Sequence, residues 1–383
     1  MRRVTAAALL AMACASPGMP PGGPPDVTAP KIVAIVPDSG SVGVKPKEVV
    51  FRFDEVVAEK PPSVTTLGDL FLISPRDGVP DASWHRDAIA VKPTHGWRAN
   101  TPYTVTMMPG LADIRGNVRN TGVTTFFSTG PTIPRTRISG QAFDWVSGAP
   151  ASGALIESFV QPDSIHPYVA LADTGGAFVL EHLSPARYTV RGYLDRNKNL
   201  GIDPSEPWDS VTVNLTDSAR IELLLFVHDT VAPRLREVAA VDSQTLRLTF
   251  DKPVDPAQTI TTANFAVIGP DSVPVPIASA GPAPRDTIGR TTAPLPSRGA
   301  VTPRVDTAAA PKRVMSRPTA ISSALIKLAR PLTAKTVYRV RAIGIRGLLG
   351  RTGNSERAFT APAPPPPPKP AAAPATPPPS VKK

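Results

Sequence analysis

One cysteine, Cys14, stands in a chain of 383 residues. With no second thiol, an intrachain disulfide and a thiolate metal cluster are both excluded. Aromatic residues make up only 5%, so any core has to be filled by Val, Ile, Leu and Ala. The longest apolar run near the start, Val4 to Ala13, has ten residues, about half of what a membrane-spanning helix needs. Signatures of catalysis are missing too: the chain has no His-Glu-x-x-His, no Gly-x-Ser-x-Gly and no phosphate-cradling glycine loop. The five histidines (His85, His95, His166, His182, His228) are scattered, none at a ligand spacing from another. The short supply of acid gives a net charge of +11. About ten of those charges sit on Arg2 and Arg3, on Pro282–Thr319 and on the last 24 residues. The rest is near neutral, so the charge marks linkers and gives no basic face for nucleic acid.

What the chain has in excess is proline, 48 residues unevenly placed. Helix interiors and sheet interiors both reject it, so these residues belong to loops, edges and tails. Arg2 and Arg3, then the apolar run, then Ala11-Met12-Ala13-Cys14 make a targeting segment. It resembles a bacterial lipoprotein signal, which implies cleavage before Cys14 and lipid on that cysteine. Ala11 stands where that pattern has leucine, with Leu10 one place early. Ordinary secretion after the small residues Ala11-Met12-Ala13 is the alternative. Residues 1–14 are thus read as signal, and 15–25 as a Pro/Gly tether.

The body of the chain contains a repeat. Asp26-Val-Thr-Ala-Pro30 returns as Asp229-Thr-Val-Ala-Pro233, and Val49-Val-Phe-Arg-Phe-Asp54 as Leu246-Arg-Leu-Thr-Phe-Asp251. Further along, Ala88–Pro93 aligns with Ala324–Ala329, Tyr103-Thr-Val-Thr106 with Tyr338-Arg-Val-Arg341, Gly116-Asn117 with Gly353-Asn354, and Thr125-Phe126-Phe127 with Ala358-Phe359-Thr360. Residues such as Val49, Phe51 and Phe53 alternate with outward positions, the period-two pattern of half-buried strands. The order is kept throughout, so two copies of one β domain, 26–131 and 229–361, flank a different segment. Asp-x-x-Ala-Pro, the Phe-x-Phe-Asp strand, Tyr-Thr-Val and Asp113-x-x-Gly-Asn together resemble the bacterial Ig-like domain of surface-layer proteins and exported lipoproteins. The second copy lacks the Asp of that turn. It also carries an insertion, 281–319, read as a disordered loop between the strand Pro274–Ala278 and the strand Ala324–Leu328.

The middle segment, 136–228, has Gly148–Leu155, Asp173-x-x-Gly-x-Phe178 and Tyr188-Thr-Val-Arg-Gly-Tyr193. It is similar to the carboxypeptidase regulatory-like domain, a transthyretin-like sandwich. The resemblance implies a hairpin turn at Asp173, a core strand from Tyr188, and an accessory module without peptidase activity. Residues 362–383, nearly all Pro and Ala, read as an extended arm. The fold class is therefore all-β: three tandem β-sandwich domains with a tether, an insertion and a Pro-rich tail.

One loop has the composition of a cation site. Asp195, Asn197, Asn199, Asp203 and Glu206 fall at positions 1, 3, 5, 9 and 12 of a calcium loop, and the carbonyl of Gly201 would supply position 7. Calcium takes hard oxygens, and the terminal Glu would complete its shell. Leu200 stands at position 6, where the sharp turn calls for glycine, and no helix flanks the loop. An Asx-rich turn between two strands is the plain alternative. Other constellations point to structure. Asp54-Glu55 and Asp251 end a strand, His85 and His95 flank Ala88–Val91, and the four tryptophans read as core plugs or edge covers. The function expected is a non-catalytic cell-envelope lipoprotein, anchored in the membrane through lipid on Cys14, which is the outer membrane if the host is Gram-negative; a secreted or periplasmic protein is the alternative. It would act as a scaffold, spacer or adhesion module toward an envelope protein or polysaccharide. An accessory subunit docking an exported hydrolase or transport complex is the alternative. Calcium is the single cofactor suggested.

Overall fold

The computed structural model describes residues 25–163, 165–284 and 315–363. Cys14 and most of the tether, the insertion and the tail lie outside them. Every regular element within them is a strand, apart from three 3-10 turns of three or four residues. The chain divides into two compact units, Met1–Pro134 with Ile165–Pro167, and Arg135–Ser164 with Tyr168–Lys383. Among the described residues no helix is long and apolar enough to cross a membrane.

The first unit is a sandwich of seven strands: β1 (Ile32–Val36), β2 (Val49–Phe53), β3 (Phe71–Ser74), β4 (Asp81–Trp84), β5 (Ala88–Lys92), β6 (Pro102–Met107) and β7 (Val123–Ser128). One sheet has the order β1-β2-β5-β4 and the other β3-β6-β7. Alternation decides which side faces in. Val49, Phe51 and Phe53 of β2 are buried while Arg52 is exposed. Tyr103, Val105 and Met107 of β6 meet them from the other sheet in one core. Burying side chains of this size contributes roughly 1.5–3 kcal/mol each.

The second unit opens with β8 (Thr136–Asp144), β9 (Leu155–Val160), β10 (Tyr168–Leu171), β11 (Ala177–Leu183), β12 (Ala186–Tyr193), β13 (Pro207–Leu215) and β14 (Ser218–Val227). Strands β10-β9-β12-β13 form one layer and β14-β8-β11 the other, joined by the short pairing of Pro207 and Trp208 with Val227 and Phe226. Tyr188 and Val190 are fully buried, as the core strand requires. The turn at Asp173 differs from the hairpin expected. Asp173 Oδ1 accepts the N–H groups of Gly175 and Ala177, but β10 pairs with β9 and β11 with β8. The turn therefore carries the chain from one layer to the other.

The same unit closes with β15 (Leu235–Ala240), β16 (Thr245–Val254), β17 (Phe265–Ile268), β18 (Pro274–Val275), β19 (Ile277–Pro282), β20 (Ile321–Leu328), β21 (Val337–Arg346) and β22 (Thr352–Thr360). Its sheets run β15-β16-β20-β19 and β18-β17-β21-β22. Strand for strand this is the first sandwich with β18 added at an edge. β19 continues to Pro282, and Ala283 N–H donates to the Ser323 carbonyl, so the sandwich keeps more chain than the boundary at Gly281 allowed.

The likeness of the two copies extends to atoms. Lys31 N–H donates to Asp54 Oδ1 at 2.8 Å, and Arg234 N–H to Asp251 Oδ1 at 2.7 Å. The Tyr103 hydroxyl accepts Arg98 N–H, and the Tyr338 hydroxyl accepts Thr333 N–H, each five residues upstream. Both copies bulge at the same place, opposite Phe53 and Phe250. This equivalence corrects three alignments. Phe51 pairs with Ile89 and Leu248 with Ala324, so Ile89, not Ala88, corresponds to Ala324. Tyr103 stacks on Phe127 and Tyr338 on Phe359, which makes Phe127 the partner of Phe359. Bridges Val57–Asp113 and Val254–Gly347 place the turn Asp113–Asn117 opposite Gly347–Arg351, with Gly116 and Gly350 both at positive φ. Gly353-Asn354 instead lies within β22.

Candidate metal centre

The loop between β12 and β13 holds Asp195, Asn197, Asn199, Asp203 and Glu206 in a network of hydrogen bonds to its own backbone and amides; among the described residues the acids whose oxygens converge within 4.8 Å are a different group. The base of the loop is closed by Leu194 N–H donating to the Pro207 carbonyl. Glu206, 2% exposed, accepts Arg196 N–H on Oε1 at 2.8 Å and Asp203 N–H on Oε2 at 3.1 Å. One buried carboxylate thus fixes both ends of the loop. Asp195 accepts the N–H groups of Asn199 and Leu200. The side-chain oxygens of Asn197 and Asn199 accept the N–H groups of Asn199 and Gly201. Leu200 adopts φ 59°, the left-handed conformation for which glycine was expected, so its side chain does not prevent the sharp turn.

The donor set is oxygen-rich: three carboxylates and two amides within twelve residues, the chemistry that calcium prefers. As folded, Asp203 Oδ2 accepts Nδ2 of Asn197 at 2.5 Å and Nδ2 of Asn199 at 3.1 Å. A cation ligated by Asp203 and by both amide oxygens would require each amide to turn. The loop therefore combines the donors of a calcium loop with the hydrogen bonds of an Asx-rich turn.

A second carboxylate group lies in the first sandwich. Asp26, Glu55 and Asp113 each bring an oxygen within 4.8 Å of the others. Asp113 is 2% exposed. It accepts Arg115 N–H and Asn117 N–H on Oδ1 and Asn117 Nδ2 on Oδ2. Asn117 Nδ2 also donates to the Asp26 carbonyl at 3.1 Å, joining the turn to the entry segment. Burial, then the carboxylates of Asp26, Asp113 and Asp54, push the Glu55 carboxyl above its ordinary range. Separations of 29 and 58 residues between its members hide this group in the sequence. The Asp-x-x-Gly-Asn turn and the acid following Asp54 were the visible signals.

The remaining candidates take structural places. Asp54 and Asp251 tie the entry segment to the end of a strand. His85 sits in the β4–β5 turn, with its N–H on the Ala88 carbonyl. His95 lies past the far end of β5, where Nδ1 is 3.4 Å from Asp77. The Trp84 and Trp97 indoles donate to the Val57 and Lys47 carbonyls. Phe226, His228 and Trp208 form a stacked row, Trp208 and His228 with centroids 3.8 Å apart, and Trp145 meets Phe226 edge-on. Burial in that row holds the His228 imidazole below its usual pKa. A hollow of about 210 Å³ in the first sandwich is lined by Glu59, Lys60, Thr65, Thr66 and Trp84 among others.

Residues 26–129 match the bacterial Ig-like domain family. No curated protein matches the chain. Among solved structures, the N-terminal part of the bacterial S-layer protein SbsC is 19% identical, covering 34% of this chain and 24% of that one, with a TM-score of 0.21. The chain thus spans about a quarter of that protein's length. The Bacillus anthracis TIE protein is 10% identical over 89% of this chain and 56% of its own, with a TM-score of 0.18. Native alpha-2-macroglobulin from Escherichia coli, domains MG0-NIE-MG1, is 8% identical over 66% and 86%, with a TM-score of 0.20.

Proposed function

We propose that this chain is a non-catalytic cell-envelope lipoprotein whose sandwiches serve as a scaffold, spacer or adhesion module. The observation that carries the reading is the doubled Ig-like architecture. One seven-strand topology recurs before and after the middle sandwich along the chain, and residues 26–129 match the bacterial Ig-like family. Building length from repeated closed cores is what a spacer or presenting arm requires, since each core folds on its own contacts. The polar groups described above are spent mostly on turns. Asp54, Asp113, Asp173, Glu206 and Asp251 all accept backbone N–H groups.

In this reading residues 1–14 are a lipoprotein signal, Cys14 carries the lipid, and the protein resides in the cell envelope, in the outer membrane if the host is Gram-negative. The middle sandwich is a carboxypeptidase regulatory-like module. Its β12–β13 loop holds calcium through Asp195, Asn197, Asn199, Asp203 and Glu206 with the carbonyl of Gly201, and the metal's role is to stiffen the loop.

Labelling cells with a radioactive fatty acid should mark the wild-type protein, and the Cys14→Ser variant should carry no label. An unlabelled wild type defeats the lipoprotein reading. Crosslinking in intact cells followed by affinity capture should then recover envelope material without a fixed enzyme partner. A single hydrolase or transporter subunit recovered in stoichiometric amount would replace the scaffold role with that of an accessory subunit.

A further inference from the structure

We propose that the open edge of β22, in the third sandwich, is a docking site for an extended acidic peptide of a partner protein, which adds there as a further strand. The first copy of the domain carries a built-in version of such a strand. Twelve residues, 37–48, join β1 to β2, and part of that run lies along β7. Gly40 N–H donates to the Phe126 carbonyl at 2.7 Å, Ser128 N–H to the Ser41 carbonyl at 2.8 Å, and Gly43 N–H to the Gly130 carbonyl at 2.7 Å. Ser41 bridges Phe127 in the parallel sense, and Val44 packs against the core. This segment closes the edge of β7.

The second copy lacks that cover. Its β15 and β16 are joined by four residues, 241–244, and Asp242 spends its carboxylate on closing that hairpin. β22 pairs with β21 alone. Since Phe359 corresponds to Phe127, Arg357 corresponds to Thr125 and Thr360 to Ser128. Phe127 is fully buried but Phe359 only half-buried, and Thr125 is fully buried but Arg357 exposed. Trp97 leans edge-on against Tyr103 and Phe127; the smaller Leu332 stands at the same distance before Tyr338. Ala358 and Thr360, at the places where Phe126 and Ser128 hold the cover, are exposed, and no described segment bonds to their outward backbone groups. The edge thus offers backbone donors and acceptors beside an apolar socket of Leu332, Tyr338 and Phe359, the makings of strand addition.

Charge selects the occupant. Arg357 lies opposite the core residue Val340, on the row of β22 that faces the other sheet. A cation on that row blunts an open edge against indiscriminate pairing, and among the described residues no acid is ion-paired with it. On the outer row Glu356 is already held by Arg339 and Arg341. The edge is therefore basic. A second β22 would bring another such edge against it, and the chain's own Pro-rich tail lacks an N–H at every proline. A strand carrying a carboxylate neutralises Arg357 and fills the gap. The first copy also sets the direction, parallel to β22. Its segment bends away before Ser41, where Ser41 N–H returns to the Asp38 carbonyl. A partner strand without that turn runs on past Arg357, so its Asp or Glu belongs two places before the residue that meets Phe359. This deepens the adhesion reading by giving the third sandwich a ligand, and lipid labelling at Cys14 tests that reading separately.

The test uses the full chain and a fluorescein-labelled peptide, Val-Thr-Asp-Thr-Ser-Val-Gly-Val, whose last four residues copy Ser41–Val44. Fluorescence anisotropy should show saturable binding with a Kd tighter than about 1 mM. The same peptide with Asn for Asp should bind about fivefold more weakly, the upper end of what a partly exposed ion pair supplies. Arg357→Thr, which writes the first copy's residue into the second, should bring the acidic peptide down to the level of the neutral one. Replacing residues 241–244 by a copy of 37–48 should abolish binding of both, with circular dichroism verifying the fold. Arg357→Thr changes an exposed side chain and keeps the test decisive should the grafted loop not fold. The proposal is overturned if no binding saturates up to about 1 mM, if wild type holds both peptides equally, or if binding survives the grafted loop. A dimer in sedimentation that the graft converts to monomer overturns it as well, because a second copy would then cover the edge.

Discussion

Two tyrosines show how a single atom can be reused. Tyr103 is 2% exposed and Tyr338 6%, and each hydroxyl accepts a backbone N–H from the loop five residues before it, at 2.7 Å and 2.9 Å. Removing the hydroxyl leaves that N–H without its acceptor at the edge of a core, which costs on the order of 1 kcal/mol. Tyr103→Phe and Tyr338→Phe should therefore each destabilise by about that amount. In calorimetric scans each variant should move one transition and leave the other in place, since the two residues lie in different units. This equivalence was legible in the sequence because Tyr103 and Tyr338 open the same alternating strand. The alignments of Ala88 and Gly116 were not. A strand of small apolar residues reads almost equally well when slipped by one, and only the pairing of Ile89 with Phe51 and Ala324 with Leu248 decides between them. The turn at Leu200 is hidden too: φ 59° is uncommon for a leucine, and the sequence does not reveal that Asp195 holds its N–H in place.

At the level of the element, β8 depends on one missing side chain. Gly140 lies opposite Phe178 of β11, and β14 runs parallel along its other side. A methyl group built on Gly140 would stand 2.4 Å from Phe178 Cζ and 2.5 Å from the Ile221 carbonyl oxygen. One of those contacts is backbone and cannot rotate away. Gly140→Ala should cost about 3 kcal/mol, the upper end of ordinary overpacking, seen as a lower midpoint in urea with an unchanged slope. Gly153 has open space around it and sits at φ 72°. Gly153→Ala should therefore act through backbone strain alone and cost about 1 kcal/mol. The sequence announced β8 through Ile138-Ser-Gly-Gln-Ala142 but gave no hint that a parallel neighbour confines it. Parallel pairing here joins residues about eighty positions apart, and no local pattern carries that information.

Across the whole molecule, the all-β architecture and the doubled domain were available from periodicity and order alone, because each sandwich is assembled from short alternating strands. The carboxylate cluster was not, since it exists only where three distant segments meet. The doubled domain also makes the protein its own control. In the first sandwich the hairpin β4–β5 is joined by three residues, His85–Asp87; in the third its counterpart β19–β20 is joined by the 38 residues that separate Pro282 from Ile321. Polymer statistics assign the wider gap an extra closure cost of about 2 kcal/mol. If that hairpin forms before the folding barrier, the third sandwich should collapse up to roughly thirty times more slowly than the first, and cutting the connector down to a tight turn should erase the lag. Stopped-flow refolding of such a variant would make twin domains a measurement of how far a long connector slows the search for an otherwise identical shape.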